Sequence, residues 1–127
     1  GGTSAHINFK KIKGVEGLKQ AIAEANASGK GVMLDFYADW CISCKEFEKY
    51  TFSNPGVIRA LSNVVALKAD VTANDEADQE LLKELGLIGP PAILFYDTNG
   101  NEQRNHRVVG YMEADAFKKQ IESAFSR

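Results

Sequence analysis

Asp35-Phe36-Tyr37-Ala38-Asp39-Trp40-Cys41-Ile42-Ser43-Cys44-Lys45 is the stretch on which the reading of this chain depends. Val32 to Tyr37 is a short apolar run broken by one acid, Asp35, and reads as a buried strand. The chain then turns through Ala38-Asp39-Trp40 and delivers Cys41 to the start of a helix. Positions three apart share a helix face, so Cys41 and Cys44 sit side by side. Strand, turn, and C-x-x-C opening a helix is the layout of a dithiol redox site. Free backbone N–H groups and the helix dipole favour negative charge there, and the thiolate is the nucleophile. Cys41, at the mouth, is the attacking thiol. Cys44, one turn inward, resolves the mixed disulfide.

Two plainer readings stand beside this one. A passive disulfide between residues three apart closes a tiny loop and constrains little of the unfolded chain. A half zinc site lacks the rest of its ligands: the two histidines, His6 and His106, have no paired spacing, and there is no second C-x-x-C. No metal is expected, and no cofactor beyond the redox-active Cys41–Cys44 pair itself.

Outside this stretch the chain alternates. Its 127 residues suit one domain with a sizeable core. A net charge of −2 argues against nucleic acid, and the one basic cluster, Lys10-Lys11 with Lys13, is read as a solvated edge. No apolar run is long enough to span a membrane. The opening Gly1-Gly2, without methionine, reads as a fragment, so the absence of a targeting segment says little about the parent.

Residues 1–8 are read as a flexible lead-in and 9–127 as the folded domain. Val15, Leu18, Ile22 and Ala25 form a helical stripe ending near Gly29. After Cys44 the helix is expected to run on through Phe47 toward Tyr50. Asn54-Pro55 restarts it as cap and first residue, with Val57, Ile58 and Leu61 facing the core. Val64–Ala69 is the next strand, and a helix follows from about Glu76 to Leu85, stopped by Gly86. The acids Asp75, Glu76, Asp78 and Glu80 read as its solvated first turn. Ala92–Tyr96 is a strand, Asp97-Thr98-Asn99-Gly100 a turn, and Arg107–Gly110 an antiparallel return strand. Glu113–Phe125, with Phe117, Ile121 and Phe125 in phase, is helical. The order α-β-α-β-α-β-β-α implies an α/β fold: a central mixed sheet flanked by helices on both faces.

That order, with Trp40-Cys41-Ile42-Ser43-Cys44 after one strand and Pro91 before another, resembles the thioredoxin-like fold over roughly residues 9–127. The run Tyr37 to Glu48, together with Asp70-Val71-Thr72-Ala73-Asn74-Asp75, is more narrowly similar to the C-terminal domain of the DsbD family of bacterial thiol:disulfide interchange proteins. The resemblance implies a periplasmic reductant domain of an inner-membrane protein, with no nucleic-acid partner and no direct membrane insertion of this segment. Its electrons come from a transmembrane domain and pass by disulfide exchange to the N-terminal domain of the same parent, with other thioredoxin-like proteins reached indirectly. A docking relay of this kind is expected to be monomeric. The runner-up is a free-standing thioredoxin-like reductase. A binding module with structural cysteines is a third reading. C-x-x-C also serves oxidases and isomerases.

By the same resemblance Cys41 and Cys44 are the catalytic pair, with Asp35 and Glu48 as acids beside it and Pro91 as the cis-proline opposite. A carboxylate near a thiol disfavours the thiolate, so Cys41 is expected to be less acidic than the helix terminus alone would make it, which suits a reductant. Either acid could pass a proton to or from Cys44; alternatively Asp35 is a core acid bonded to Lys68, and Glu48 a solvated charge. Trp40, with Tyr37 and Phe36, offers an apolar docking rim, though Phe36 reads more simply as core. Pro90 departs from the family pattern: it removes the N–H that an incoming chain could use.

Overall fold

The apolar run after Lys30 forms the inner strand of a four-stranded sheet. In the computed structural model, which describes residues 6–126, the elements are β1 (Lys10–Ile12), α1 (Gly14–Ala27), β2 (Gly31–Tyr37), α2 (Ile42–Glu46), α3 (Pro55–Ala60), β3 (Val64–Asp70), α4 (Glu76–Glu84), β4 (Ala92–Tyr96) and α5 (Ala114–Ala124). The sheet order is β1-β3-β2-β4. β3 runs parallel to both β1 and β2, and β4 runs antiparallel to β2. The α/β class and the mixed sheet flanked by helices are those read from the sequence.

Both faces of β2 are covered, which explains its nearly unbroken apolar run. Val32, Leu34 and Phe36 join Leu18, Ala21 and Ala25 of α1 and Leu81 and Leu82 of α4 in one core cluster. Met33 faces the other way, into a cluster with Phe47, Val57, Phe95, Phe117 and Ile121. Asp35 shares the Met33 side of the strand and is only 4% exposed.

The expected restart at Asn54-Pro55 is present. Asn54 Oδ1 accepts hydrogen bonds from the backbone N–H of Gly56 (2.9 Å) and Val57 (3.2 Å), and Pro55 takes the first helical position. Val57 and Leu61 are buried as expected, while Ile58 is only half-buried. Asn54→Ala is expected to lower stability by about 1 kcal/mol in chemical denaturation. No change in the denaturation midpoint would remove the capping role.

Several expectations need correction. The helix begun at Cys44 does not run on regularly: after α2 the chain takes a wide π-helical turn, Phe47–Thr51. Phe52 N–H closes it onto Phe47 O at 2.7 Å, five residues back. The wider turn leaves Phe47 and Thr51 buried and Glu48 outward. Arg107–Gly110 is not a strand. Val108 alone pairs, by reciprocal hydrogen bonds with Ile93 (2.8 and 2.9 Å), with a second isolated bridge between Tyr96 and Glu102. A 3-10 turn at Arg104–His106 and the positive φ of Gly110 (129°) break the extended run on either side.

The basic cluster supplies β1, an edge strand in register with Leu67, Lys68 and Ala69. Lys13 reaches back to α4, where its Nζ lies 2.8 Å from Asp78 and 2.9 Å from Asp75. Asp78 is therefore not part of a solvated first turn. It is buried, and the ion pair supplies the counter-charge its burial requires. His106 is half-buried, with Nε2 3.1 Å from Ser123 Oγ. Of the lead-in expected over residues 1–8, residues 1–5 lie outside the described residues, and Ile7 packs against the second core cluster.

Candidate active site

The strand, the turn and the helix start converge as their order suggests. β2 ends at Tyr37, and the loop that follows is pinned from β3. Thr72 Oγ1 accepts from Asp39 N–H at 2.9 Å and donates to Asp70 Oδ1 at 2.5 Å. Trp40 Nε1 donates to Thr72 O at 3.3 Å, and Val71 N–H to Tyr37 O at 2.8 Å. Asp70 also accepts from Thr72 N–H, the local side-chain turn that short polar residues make. The loop entering the cysteine pair is thus held by a residue the sequence reading quoted only as part of a resemblance. The Asp70-x-Thr72 spacing is the local signal for it.

Cys41 caps α2. Its Sγ accepts from Cys44 N–H at 3.1 Å, while its own N–H bonds Ala38 O at 3.0 Å. The sulfur therefore sits where a backbone donor and the helix terminus both favour a thiolate. Cys41 and Cys44 are joined as a disulfide. Cys44 Sγ lies 3.5 Å from Phe36 O, a contact that becomes a hydrogen bond once reduction gives the sulfur a proton. Cys41 is 6% exposed and Cys44 3%, so both are buried.

The two acids are placed differently. Asp35 is buried in β2, one residue before Phe36, whose carbonyl lies 3.5 Å from Cys44 Sγ. Burial pushes its carboxyl up to about 8, with Lys68 opposing that rise and Glu48 adding to it. Glu48 is 41% exposed and is no free surface charge: its Oε2 accepts from Lys68 Nζ at 2.7 Å. Lys68, suggested as a partner for Asp35, gives its ion pair to Glu48.

The three residues expected to form the docking rim line one groove. Trp40, Pro90 and Pro91 line a cavity of about 610 Å³ together with Leu87, Ile88 and Val109. The Pro90–Pro91 peptide bond is cis. Trp40 is 59% exposed, and Ile88 and Val109 are more so, which makes the rim apolar and open. Phe36 is fully buried and belongs to the core. Tyr37 is half-buried, its hydroxyl donating to Asp39 Oδ1 at 3.0 Å. Ile88 and Val109 went unnoticed in the sequence because each lies in a loop that only the fold brings beside Trp40.

A disulfide of two residues three apart, capping a helix at the end of a central strand and rimmed by a cis-proline groove, defines a thiol–disulfide exchange domain. Residues 18–125 match the family model described as a thioredoxin-like domain. The chain is 54% identical over 119 residues to the thiol:disulfide interchange protein DsbD of Escherichia coli K12, covering 94% of this chain and 21% of that protein. The crystal structure of the oxidised C-terminal domain of Neisseria meningitidis DsbD superposes with a TM-score of 0.78 at 38% identity, covering 91% of this chain and 99% of that domain. A Thermus thermophilus thioredoxin shares the fold at a TM-score of 0.73 and 24% identity, covering 92% of this chain and 87% of that one. The chain belongs to the thioredoxin-like domain family and, within it, to the C-terminal domains of DsbD. It spans about a fifth of the length of the curated relatives it matches. Among the described residues no helix is long and apolar enough to cross a membrane.

Proposed function

We propose that this domain is the reducing stage of a disulfide relay, taking two electrons from a membrane-embedded dithiol and passing them to a disulfide on a periplasmic partner domain, donor and acceptor being parts of one longer protein. The observation that carries the reading is the Cys41–Cys44 disulfide capping α2, in a chain matched along nearly the whole of a DsbD C-terminal domain. The redox group is the disulfide itself.

The chemistry balances within thiols. In the reduced domain the Cys41 thiolate attacks one sulfur of the partner's disulfide. A mixed disulfide forms, and the partner's other sulfur leaves as a thiolate that takes up a proton. Cys44 gives up its proton and attacks Cys41 Sγ, which releases the partner's second thiolate and closes the Cys41–Cys44 bond. Two electrons and two protons have then moved to the partner. A donor dithiol runs the same steps in reverse.

Burial favours the protonated form of Asp35, and its neighbour Phe36 presents its carbonyl to Cys44 Sγ, so Asp35 is suited to exchange a proton with Cys44 as the second step proceeds. Glu48 contributes negative charge to the same region. The Cys44 N–H and the helix terminus draw the Cys41 thiol toward ionisation. Docking falls to the groove. Pro90 and Pro91 offer carbonyls and no N–H, so a partner segment is held there by apolar contact with Trp40, Ile88 and Val109 more than by backbone pairing.

Cys44→Ala tests the assignment. With the resolving thiol gone, the reduced variant is expected to accumulate a one-to-one disulfide adduct, through Cys41, with the oxidised N-terminal domain of a DsbD relative. A reductant releases the adduct. Absence of an adduct, or adduct formation by a Cys41→Ala variant instead, would overturn the roles given to the two sulfurs.

A further inference from the structure

The groove wall that carries Val109 is not part of the sheet. It is delivered by the return segment 102–110, which touches β4 at two isolated bridges, Tyr96 with Glu102 and Ile93 with Val108. Between those bridges β4 contributes Leu94 and Phe95, whereas the return segment contributes Gln103 to Arg107 and throws the surplus out as the 3-10 turn at Arg104–His106. The neck of such a loop stays closed when its ends are tied, and here side chains tie them. Arg107 Nε donates to Glu102 Oε2 and Arg107 Nη2 to Glu102 Oε1, both at 2.6 Å. The two side chains are only 15% and 11% exposed. A two-point pair of this kind fixes orientation as well as distance, and its low exposure limits screening by salt.

Arg107 stands directly before Val108, and Ile93, the bridge partner of Val108, follows the cis-proline Pro91 by two residues. The bridge therefore sets where Val109 lies relative to Pro91. Val109 is 71% exposed, and among the described residues neither it nor Gly110 makes a backbone-to-backbone hydrogen bond. Its placement comes from anchors on either side. Downstream is Met112, whose carbonyl accepts from the buried Thr51 at 2.8 Å. Upstream is the Glu102–Arg107 pair, backed by Gln120 of α5, whose Nε2 donates to His106 O at 2.8 Å. We propose that Arg107 is a positioning residue of the docking groove: its two-point pair with Glu102 fixes the segment that presents Val109, and so sets how tightly a disulfide-bearing partner domain is held without touching the sulfur chemistry. The inference rests on reading the groove of Trp40, Pro91 and Val109 as the place where the partner seats.

The experiment follows single-turnover oxidation of the full reduced chain by two disulfides: the oxidised N-terminal domain of a DsbD relative, and a small aromatic disulfide too small to span the groove. Arg107→Met is expected to raise the half-saturating concentration of the partner domain about fivefold or more. The limiting rate and the small-disulfide rate should stay unchanged, the signature of lost binding with intact chemistry. Glu102→Gln should act alike, and the Glu102→Gln/Arg107→Met double variant should lose no more than either single one, because all three break one pair. Arg107→Lys keeps the charge and gives up the fork, so a smaller rise is expected. An unmoved half-saturating concentration in Arg107→Met overturns the proposal, as does additivity in the double variant. A fall in the small-disulfide rate that matches the loss with the partner also overturns it, since Arg107 would then only hold the fold together. Should Arg107→Met fail to fold, Arg107→Lys and Glu102→Gln give the same reading. Failure of the groove reading is separately visible, because Val109→Ser would then leave partner binding unchanged. If the exchange assignment itself fails, the unmodified protein reacts with neither disulfide.

Discussion

Asp35→Asn is expected to stabilise the oxidised protein at neutral and alkaline pH, with a gain that grows as pH rises. In the unfolded chain this carboxyl ionises at the ordinary 3.8; in the fold, burial delays ionisation to about 8. Between those values the folded state holds a proton that the unfolded state has released. Stability therefore falls as pH climbs through the window. Below it both states are protonated and the carboxyl makes no difference. Above it both are ionised and the full penalty of a buried charge is present. A shift of this size corresponds to a gain on the order of 6 kcal/mol at the alkaline end. Asparagine keeps the shape of the protonated acid without a charge to desolvate, so its advantage should vanish toward pH 4. Denaturant unfolding of the two oxidised proteins across this range measures the difference directly. Parallel stability curves would mean that Asp35 is not held protonated by its surroundings. The same variant should exchange more slowly, since it keeps the shape of the site and loses the proton carrier. Stability given up for a buried chargeable group beside Phe36 is the pattern expected of a functional acid.

Phe117→Ala carries the second large effect. Phe117 is fully buried, and its ring centre lies 5.8 Å from that of Phe47, 5.9 Å from Phe52 and 6.3 Å from Phe95. It is the point where α5, the π-helical turn and β4 share one aromatic cluster. Truncating such a side chain removes its transfer free energy and leaves a cavity between elements that can only partly close. A loss of about 3–5 kcal/mol is expected. Denaturant midpoints with an unchanged slope would give it. A loss under about 1 kcal/mol would show that neighbours collapse into the space. Phe47 opens the turn that carries Glu48, so the cavity should also loosen the Glu48–Lys68 pair.

What could be read from the sequence was what neighbouring residues decide among themselves. β2 is legible because it is apolar on both faces, the cysteine pair because three-residue spacing fixes a helix face, and α3 because Asn54 and Pro55 satisfy the local demands of a helix start. The groove was half legible: Trp40, Pro90 and Pro91 were named from the resemblance, whereas Ile88 and Val109 reach it only through tertiary placement. Asp78 illustrates the limit. Its sequence context is that of an exposed helix start, and only the arrival of Lys13, 65 residues earlier, makes its burial possible. Lys68 likewise reaches Glu48 from 20 residues away, as its ion-pair partner. The π-helical turn could not be foreseen for a related reason. Regular periodicity through Phe47 and Tyr50 fits the local sequence, but the core takes in both Phe47 and Phe52, five residues apart, which the extra residue in the turn allows. Thr51 then donates to Met112 O at 2.8 Å, a partner far along the chain.

The scant exposure of the two sulfurs bears on what this domain would leave unreduced. A dithiol that gives electrons to any disulfide it meets is a leak in a compartment full of them. Here a collision must be both well aimed and well shaped to reach Cys41, and most encounters with folded proteins will be neither. Such a site behaves like an insulated conductor with one bare terminal: the opening limits how often current escapes, and the apolar rim decides which connector seats long enough to draw it. Selectivity of this sort is kinetic. It would allow a dithiol to persist among oxidised bystanders without needing a potential that discriminates between them.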